Sequence, residues 1–496
     1  MISVALSASA PAAPRSILRL VPADCIVVYT AKPYTDWVPA ARPMTTAPAR
    51  GGSQLAAILG FLNASGLIPH QGQVYADIAA RLPLLGRYEH AIALLDVSSK
   101  LVRKQGRTPA DRNISLRLKQ LQAAVLFRTN GENSDVLDHL NEIVGRYTNS
   151  DVAHLMTEKA GKHTYRRLVD DRLIGWAIWE WGRLGEFFVV TFGAGAFDRI
   201  ADTYDGRASS LAEDDWFKSA TRKTHGDRAL AQWFVSLSRL ETSLLEPGLS
   251  DAAQKRYRGV ISALGAAGMT HDLWTVGLPG RAMSWYRCFQ RQVSGGPDRD
   301  ETRVYSDPER YPKSLRRIVP DAATRFAIIH VPTRWLVDNL PRAWVQAQSE
   351  RHVQRLHAAW ERLEEETGID ISSNLVRHLG ENVVIFDYPP HPLRVPVALT
   401  VVIEIDDRKA VEAATDALLG AWGRYLDERA ERKGTTLLRM YVKHDDDGVW
   451  YIEAGILGPA LKVTDRYLVL SWSPAALREA LDAMGRGSTS GRRSGG

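Results

Sequence analysis

One pattern is written twice in this chain. "FFVVTFGAGAFDRIAD" (Phe187 to Asp202) and "YLVLSWSPAALREALD" (Tyr467 to Asp482) align without a gap: an apolar run, a turn, and a helix-like segment closing on an aspartate. Internal repetition on this scale constrains architecture before any local propensity does, because each copy has the same faces to bury.

Four more landmarks recur in the same order. "SILRLVP" (Ser16 to Pro22) and "SLRRIVP" (Ser314 to Pro320) open the two copies, each followed by an apolar strand candidate and a further proline, Pro33 or Pro332. "LGRYEHAIALLD" (Leu85 to Asp96) matches "LGENVVIFD" (Leu379 to Asp387), and "LRLKQLQAAVLFRT" (Leu116 to Thr129) matches "LRVPVALTVVIEID" (Leu393 to Asp406). A helix-like stretch carrying Gly-Arg-Tyr follows in each, at Gly145 to Tyr147 and at Gly423 to Tyr425.

The second copy spells its secondary structure more clearly. "TRFAIIHVP", "NVVIFDY", "VALTVVIEI", "TTLLRMYVK", "VWYIEAGIL" and "YLVLSWS" are rich in β-branched and aromatic residues and predict strands. Val353, Leu356, Trp360 and Leu363 form a helical stripe closing on Gly368, and the stretch from Arg408 predicts a long amphipathic helix stopped by Gly434. Pro474 stands where a helix begins and its missing N–H costs nothing. Short polar links between strands make neighbours antiparallel. The predicted fold class is α+β: two related units, each an antiparallel sheet with helices packed on one face.

On this reading residues 1–15 are a leader or a disordered segment, 16–210 the first unit, 311–485 the second and 486–496 a disordered tail. Residues 211–310 complete the first unit or bridge the two. They carry a helix-like "LAEDDWFKSATRK", the strand candidates "LAQWFVSLSRL", "DLWTVGL" and "AMSWYRCFQR", and an exposed loop "SGGPDRDETR".

Composition narrows the function classes. The chain has 496 residues, enough for about three ordinary domains. A net charge of +6 with bases interleaved among acids ("DERAERKG") argues against a nucleic-acid partner. "LAAILGFLNASGLI" (Leu55 to Ile68) is too short and too broken by Asn63, Ser65 and Gly66 to span a bilayer, so no transmembrane helix is expected. An A-x-A pattern at Ala8 to Ala10 fits a signal-peptidase site, but no basic stretch precedes it. Cys25 and Cys288 lie in apolar, strand-like runs and read as buried free thiols, with a single bridge between them the other choice.

Candidate chemistry is sparse. Asp445, Asp446 and Asp447 before Gly448 are adjacent acids rather than alternating calcium ligands, and read as a hairpin turn. His352 and His357 are five apart, off the spacing that puts two imidazoles on one helix face. "GAGAF" (Gly193 to Phe197) follows a strand and opens a helix as a dinucleotide fingerprint does, yet it lacks a third glycine, and the second copy has "SPAAL" (Ser473 to Leu477). Trp176, Trp179 and Trp181 in "WAIWEW" suit core packing better than a stacking platform; Trp176 and Trp450 both fall on strand candidates. No metal or cofactor is implied. His225 with Asp227, and His271 with Asp272, are the places where an enzyme confined to one copy would show itself.

The "VPAD" opening (Val21 to Asp24), "ETGIDISSNLVRHLGENVVIFD" (Glu366 to Asp387) and "YLVLSWSPAALREAL" (Tyr467 to Leu481) together resemble an uncharacterised bacterial family of duplicated α+β proteins, domain of unknown function 3352. The likeness covers most of residues 16–485. The first copy departs from it by the insert "SSKLVRKQGRTPADRNIS" (Ser98 to Ser115). The resemblance implies an exported or envelope-associated protein of no established activity, so it carries over no catalytic residue. The expectation is a non-catalytic binding or scaffolding component of the bacterial envelope or periplasm, meeting a protein or small ligand through its surfaces or the cleft between units. The alternative is an enzyme with its site at the interface between the units.

Overall fold

The structure, a computed structural model, describes residues 16–33, 87–103, 114–130, 152–171, 175–245, 251–331 and 361–387 apart from short gaps, 399–433, 441–453 and 458–489, with scattered helical positions at 136–144 and 339–358. The fold is mixed α+β on antiparallel sheets. It divides into two compact units: Met1–Leu249 with Met269–Thr275 and Cys288–Gln290, and the rest of the chain from Ser250 onward.

The first sheet is made of β1 (Val27–Ala31), β2 (Glu89–Arg103), β3 (Ile114–Arg128), β4 (Ala153–Ala160), β5 (His163–Asp170), β6 (Trp179–Leu184), β7 (Phe187–Phe192), β8 (Ala231–Ser236), β9 (Met269–Gly277), β10 (Ser284–Arg291) and β11 (Arg299–Ser306). Its spatial order is β11-β10-β9-β8-β1-β2-β3-β7-β6-β5-β4. Helices α1 (Ala196–Tyr204) and α2 (Asp215–Lys223) follow β7, and α3 (Asp251–Ala263) lies between β8 and β9 in sequence. The second sheet takes β12 (Phe326–His330), β13 (Leu379–Asp387), β14 (Leu399–Ile405), β15 (Tyr441–His444), β16 (Trp450–Glu453), β17 (Ala460–Val463) and β18 (Tyr467–Ser471), with α4 (Arg408–Lys433) and α5 (Pro474–Thr489). Its order is β12-β13-β14-β18-β17-β16-β15. Numbered from its own first strand, this is the order 1-2-3-7-6-5-4, and β1 to β7 follow the same order within the first sheet.

Burial explains which face each strand shows. Along β7, Phe187, Phe188, Val189 and Val190 are all buried, so both faces are covered. On one face Val28, Ala93, Leu126 and Val189 pack with Phe197 and Ile200 of α1 and Phe217 of α2. On the other, Phe127, Phe188 and Val190 pack with Leu168, Trp181 and Val136. The second unit repeats this arrangement. Ile328, Val384, Val402 and Val469 meet Leu477 and Ala480 of α5, while Leu468 and Ile403 meet Val411 of α4. The single helical layer expected from sequence is therefore corrected to packing on both faces. A continuous apolar run such as "FFVVTF" has no polar face to give to water.

Register corrects the sequence match of β3 and β14. Arg128 pairs with Phe187, and Glu404 with Tyr467. Matching Phe187 to Tyr467 therefore places Leu126 on Val402, both buried, whereas the ungapped alignment placed Leu126 on the half-buried Ile403. A one-residue slip exchanges the two faces of a strand.

One further expectation changes. "RDETR", the end of the expected loop, opens strand β11, whose first five residues are exposed and whose charges suit an edge. Between the strand candidates of residues 211–310, where the sequence reading named no element, lies helix α3. Pro474 does open α5, and Gly368 (φ +67°) closes the helical turn before it, its N–H donating to the Glu364 carbonyl. Gly434 and the Gly-Arg-Tyr of residues 145–147 lie outside the described residues.

Candidate functional site

The "GAGAF" turn is fixed by close approach of the chain to itself. Gly193 has φ +107°, and a Cβ there would sit 2.0 Å from the Leu121 carbonyl oxygen of β3. Only glycine tolerates both the dihedral and the contact. Gly195 (φ +74°) is the N-cap of α1, and the helix N-terminus that a dinucleotide phosphate would use is already filled. The fully buried Glu180 of β6 accepts hydrogen bonds from Phe197 N–H (3.0 Å), Gly195 N–H (3.4 Å) and Thr191 Oγ1 (3.4 Å). The carboxylate stands where an anion binds a helix dipole. Arg167 Nε lies 3.4 Å from Glu180 Oε1, an ion pair whose geometry falls short of a hydrogen bond. Burial pushes the Glu180 carboxyl up, against the Phe197 N–H, Arg167 and Gly195 N–H that favour its ionised form.

Among the described residues no carboxylate takes this place in the second unit. Glu180 pairs with Thr191; Ser471, its sequence counterpart, pairs with Ala460. There α5 is capped instead by Ser473, whose Oγ accepts from Ala476 N–H at 3.1 Å. The first unit also ties its turn to β3 and to the "VPAD" motif. Gln122 Nε2 donates to the Ala194 carbonyl (2.7 Å), Arg199 donates to Gln122 Oε1 (3.0 Å) and to Asp24 Oδ1 (2.8 Å), and Arg239 pairs with Asp24 at 3.4 Å.

The histidine–aspartate candidates do not assemble. His225 holds a left-handed backbone (φ +51°) in an exposed turn, and Asp227 is exposed with Arg228 Nε 3.9 Å away. His271 lies stacked on Trp216 (5.1 Å) and Phe234 (6.0 Å), with Nδ1 3.0 Å from Gln290 Oε1. Its neighbour Asp272 accepts from Trp274 Nε1 at 2.9 Å. Consecutive residues on β9 face opposite ways, so neither His–Asp neighbour forms a base and its orienting acid.

The remaining candidates resolve individually. Asp445 Oδ1 accepts from Asp447 N–H (3.1 Å) and Val449 N–H (2.8 Å), and Gly448 has φ +75°, so the acidic triplet is a turn. Trp181 is core, Trp176 and Trp179 flank Phe192, and Trp179 remains exposed. Trp176 precedes β6, which holds the place of β17, while Trp450 opens β16, so the two tryptophans are not counterparts. Cys25 and Cys288 are free and buried, and burial pushes the Cys25 thiol up to about 12. His352 and His357 lie outside the described residues. Among the described residues no group of three His, Cys, Asp or Glu side chains converges as a metal site, and no helix is long and apolar enough to cross a membrane.

A cleft of about 520 Å³ opens in the first unit. Ile17, Phe217 and Leu230 supply apolar walls; Lys32, Lys218 and Arg222 supply cationic heads, Lys218 in an ion pair with Asp215 (3.3 Å), and the acids Glu89 and Asp227 also line it. Arg222 makes no ion pair among the described residues. Sequence reasoning missed both the cleft and Glu180. The only signal for Glu180 was an acid inside the apolar run "WAIWEW".

No family model matches the chain. No curated protein matches it either. Two solved structures, crystal forms III and IV of a protein named TP0453, are similar in part. The first has a TM-score of 0.27 and 10% identity, over 57% of this chain and 83% of that one. The second has a TM-score of 0.26 and 9% identity, over 55% and 79%. At such scores the likeness is too slight to carry fold or function across.

Proposed function

We propose that this chain is a non-catalytic binding component of the bacterial envelope, built from two related units, whose first unit takes a small amphiphilic anion. The observation that carries the reading is the cleft, with apolar walls beside Lys32, Lys218 and Arg222. Its volume lies in the range of small-ligand sites, which pair a mostly apolar lining with a few polar groups. An apolar wall takes a hydrocarbon body, and the cationic heads take a carboxylate or phosphate end. The shared strand order of the two units and the recurring sequence landmarks support the duplication. The resemblance of the "VPAD" and closing motifs to the duplicated envelope family supports the location.

The test is a fluorescence titration of the full chain with dansyl-undecanoate. Saturable binding to one site is expected, weakened about tenfold or more in a Lys218→Glu, Arg222→Glu variant of unchanged melting temperature. Equal binding by wild type and variant, or no binding by wild type, overturns the ligand assignment. Recovery of the protein with Met1 intact in the soluble cytoplasmic fraction overturns the location.

A further inference from the structure

Strand β4 ends its sheet. Among the described residues only β5 pairs with it, from Ala153 on Asp170 to Ala160 on His163, without a bulge. The two-residue turn of Gly161 and Lys162, with Gly161 at φ +58°, makes Ala160 and His163 a hydrogen-bonded pair. The same alternation holds at the far end, where Asp171 N–H donates to the Val152 carbonyl at 3.0 Å. Even-numbered residues of β4 therefore turn their backbone groups to β5, while Ala153, Leu155, Thr157 and Lys159 turn theirs outward. Those outward groups meet no partner among the described residues.

Sheets blunt such an edge by shortness, charge, proline or a bulge. At the other end of this sheet β11 exposes Arg299, Asp300, Glu301 and Arg303. In the second unit β15, which holds the place of β4, is four residues long. β4 has eight residues, no proline and no bulge. His154 to Glu158 are all exposed, Leu155 and Met156 by 39% each. These two neighbours point to opposite faces, so both faces stand open at the middle of the strand. Leu155 also continues a row through Leu168 to the exposed Trp179, which gives the edge an apolar flank.

The exposed residues complement a reversed copy of themselves. Antiparallel pairing about Met156 sets Leu155 and Thr157 opposite each other twice as hydrogen-bonded pairs, Met156 on Met156, and His154 opposite Glu158 twice. Moving the centre by one residue either way sets His154 or Glu158 against Met156 instead. Glu158 stands close to Asp198, whose carboxyl is pushed up by burial and by Asp202, with Arg167 opposing and Glu158 adding to the rise. A hydrogen-bond donor brought there by another chain meets an acid-rich spot.

We propose that β4 pairs with β4 of a second copy of this chain, antiparallel and centred on Met156, joining two first sheets across a twofold axis. Strand addition at an open edge draws its affinity from backbone hydrogen bonds and its register from alternate side chains. The contact is isologous and closes at two copies. One strand pair buries less than a standard interface, so the dimer forms and dissociates with concentration. The inference stands independently of the cleft.

The experiment is sedimentation velocity of the full chain from about 1 to about 100 µM, where weak interfaces titrate. The weight-average mass is expected to climb from 55.1 kDa toward twice that value. Thr157→Pro removes an outward N–H and no bond to β5, so it should leave melting unchanged and weaken the dimer by about tenfold or more. His154→Glu and Glu158→Lys should each weaken self-association about tenfold, because an unfavourable pair then occurs twice. Mixing these two variants should restore association, since the new acid of one faces the new base of the other. Met156→Cys should form a disulfide-linked dimer on mild oxidation, its Cα about 4.5 Å from its copy, while the native Cys25 and Cys288 are buried. A wild type that stays monomeric throughout overturns the proposal in favour of a foreign extended peptide at this edge. A dimer indifferent to Thr157→Pro, charge variants that associate no better mixed than alone, or absent cross-linking in Met156→Cys also overturns it.

Discussion

Replacing Glu180 by alanine tests whether the "GAGAF" turn is a structural joint. The carboxylate is fully buried and answers Phe197 N–H, Gly195 N–H and Thr191 Oγ1, with Arg167 beside it. Each buried group left unanswered costs about 1–3 kcal/mol, and a broken buried ion pair costs about 3–5 kcal/mol. These overlap, so Glu180→Ala should destabilise the first unit by about 3–5 kcal/mol. Urea denaturation would show the loss as a lower midpoint at constant slope, and hydrogen exchange at the Phe197 amide should accelerate by about a hundredfold or more. Replacing both partners, Glu180→Leu with Arg167→Met, removes the unpaired charge and should recover most of the loss. A Glu180→Ala cost below about 1 kcal/mol, or a double variant worse than the single, would refute the reasoning. The pH dependence has a definite sign. Burial raises this carboxyl above its ordinary value of 4.5, so the folded form holds its proton to higher pH than the unfolded form. Its contribution is greatest in acid and declines as pH rises from about 4.5 through the folded value. Glu180→Gln should therefore gain stability relative to wild type over that rise, and a flat difference counts against it.

Other outcomes follow from the same geometry. Gly193→Ala should cost at least about 3 kcal/mol by urea denaturation, because its Cβ meets the Leu121 carbonyl at 2.0 Å. Ser473→Ala should cost about 1 kcal/mol, the usual worth of an N-cap, with fraying at the start of α5 in hydrogen exchange. Asp205 is held down to about 2 by its hydrogen bonds from His163, Lys162 and Arg207. The stability lost in Asp205→Asn at neutral pH should therefore shrink as pH falls from about 4 to about 2 and vanish below it. Added calcium should leave the melting temperature unchanged, since Asp445 already accepts two backbone N–H groups.

Much of the fold is legible in one dimension. β12, β13, β14 and β18 stand where β-branched runs predict strands, and α4 and α5 begin where Asp407 and Ser473 precede helical sequence. The candidate site is far less legible. His225 with Asp227 and His271 with Asp272 attracted notice because they are neighbours in sequence, and strand alternation or a left-handed turn separates their side chains. The residues that do converge are remote: Gln122 reaches Ala194 across 72 positions, and Arg199 reaches Asp24 across 175.

The sequence by itself indicated the kind of many elements, because strand and helix patterns repeat over a few residues. Tertiary structure alone decided which faces are buried and that Glu180 fills the N-terminus of α1. Periodicity is a local property of a chain. Register, burial on both sides of a sheet and the meeting of an acid with a helix end depend on segments brought together only when the chain folds.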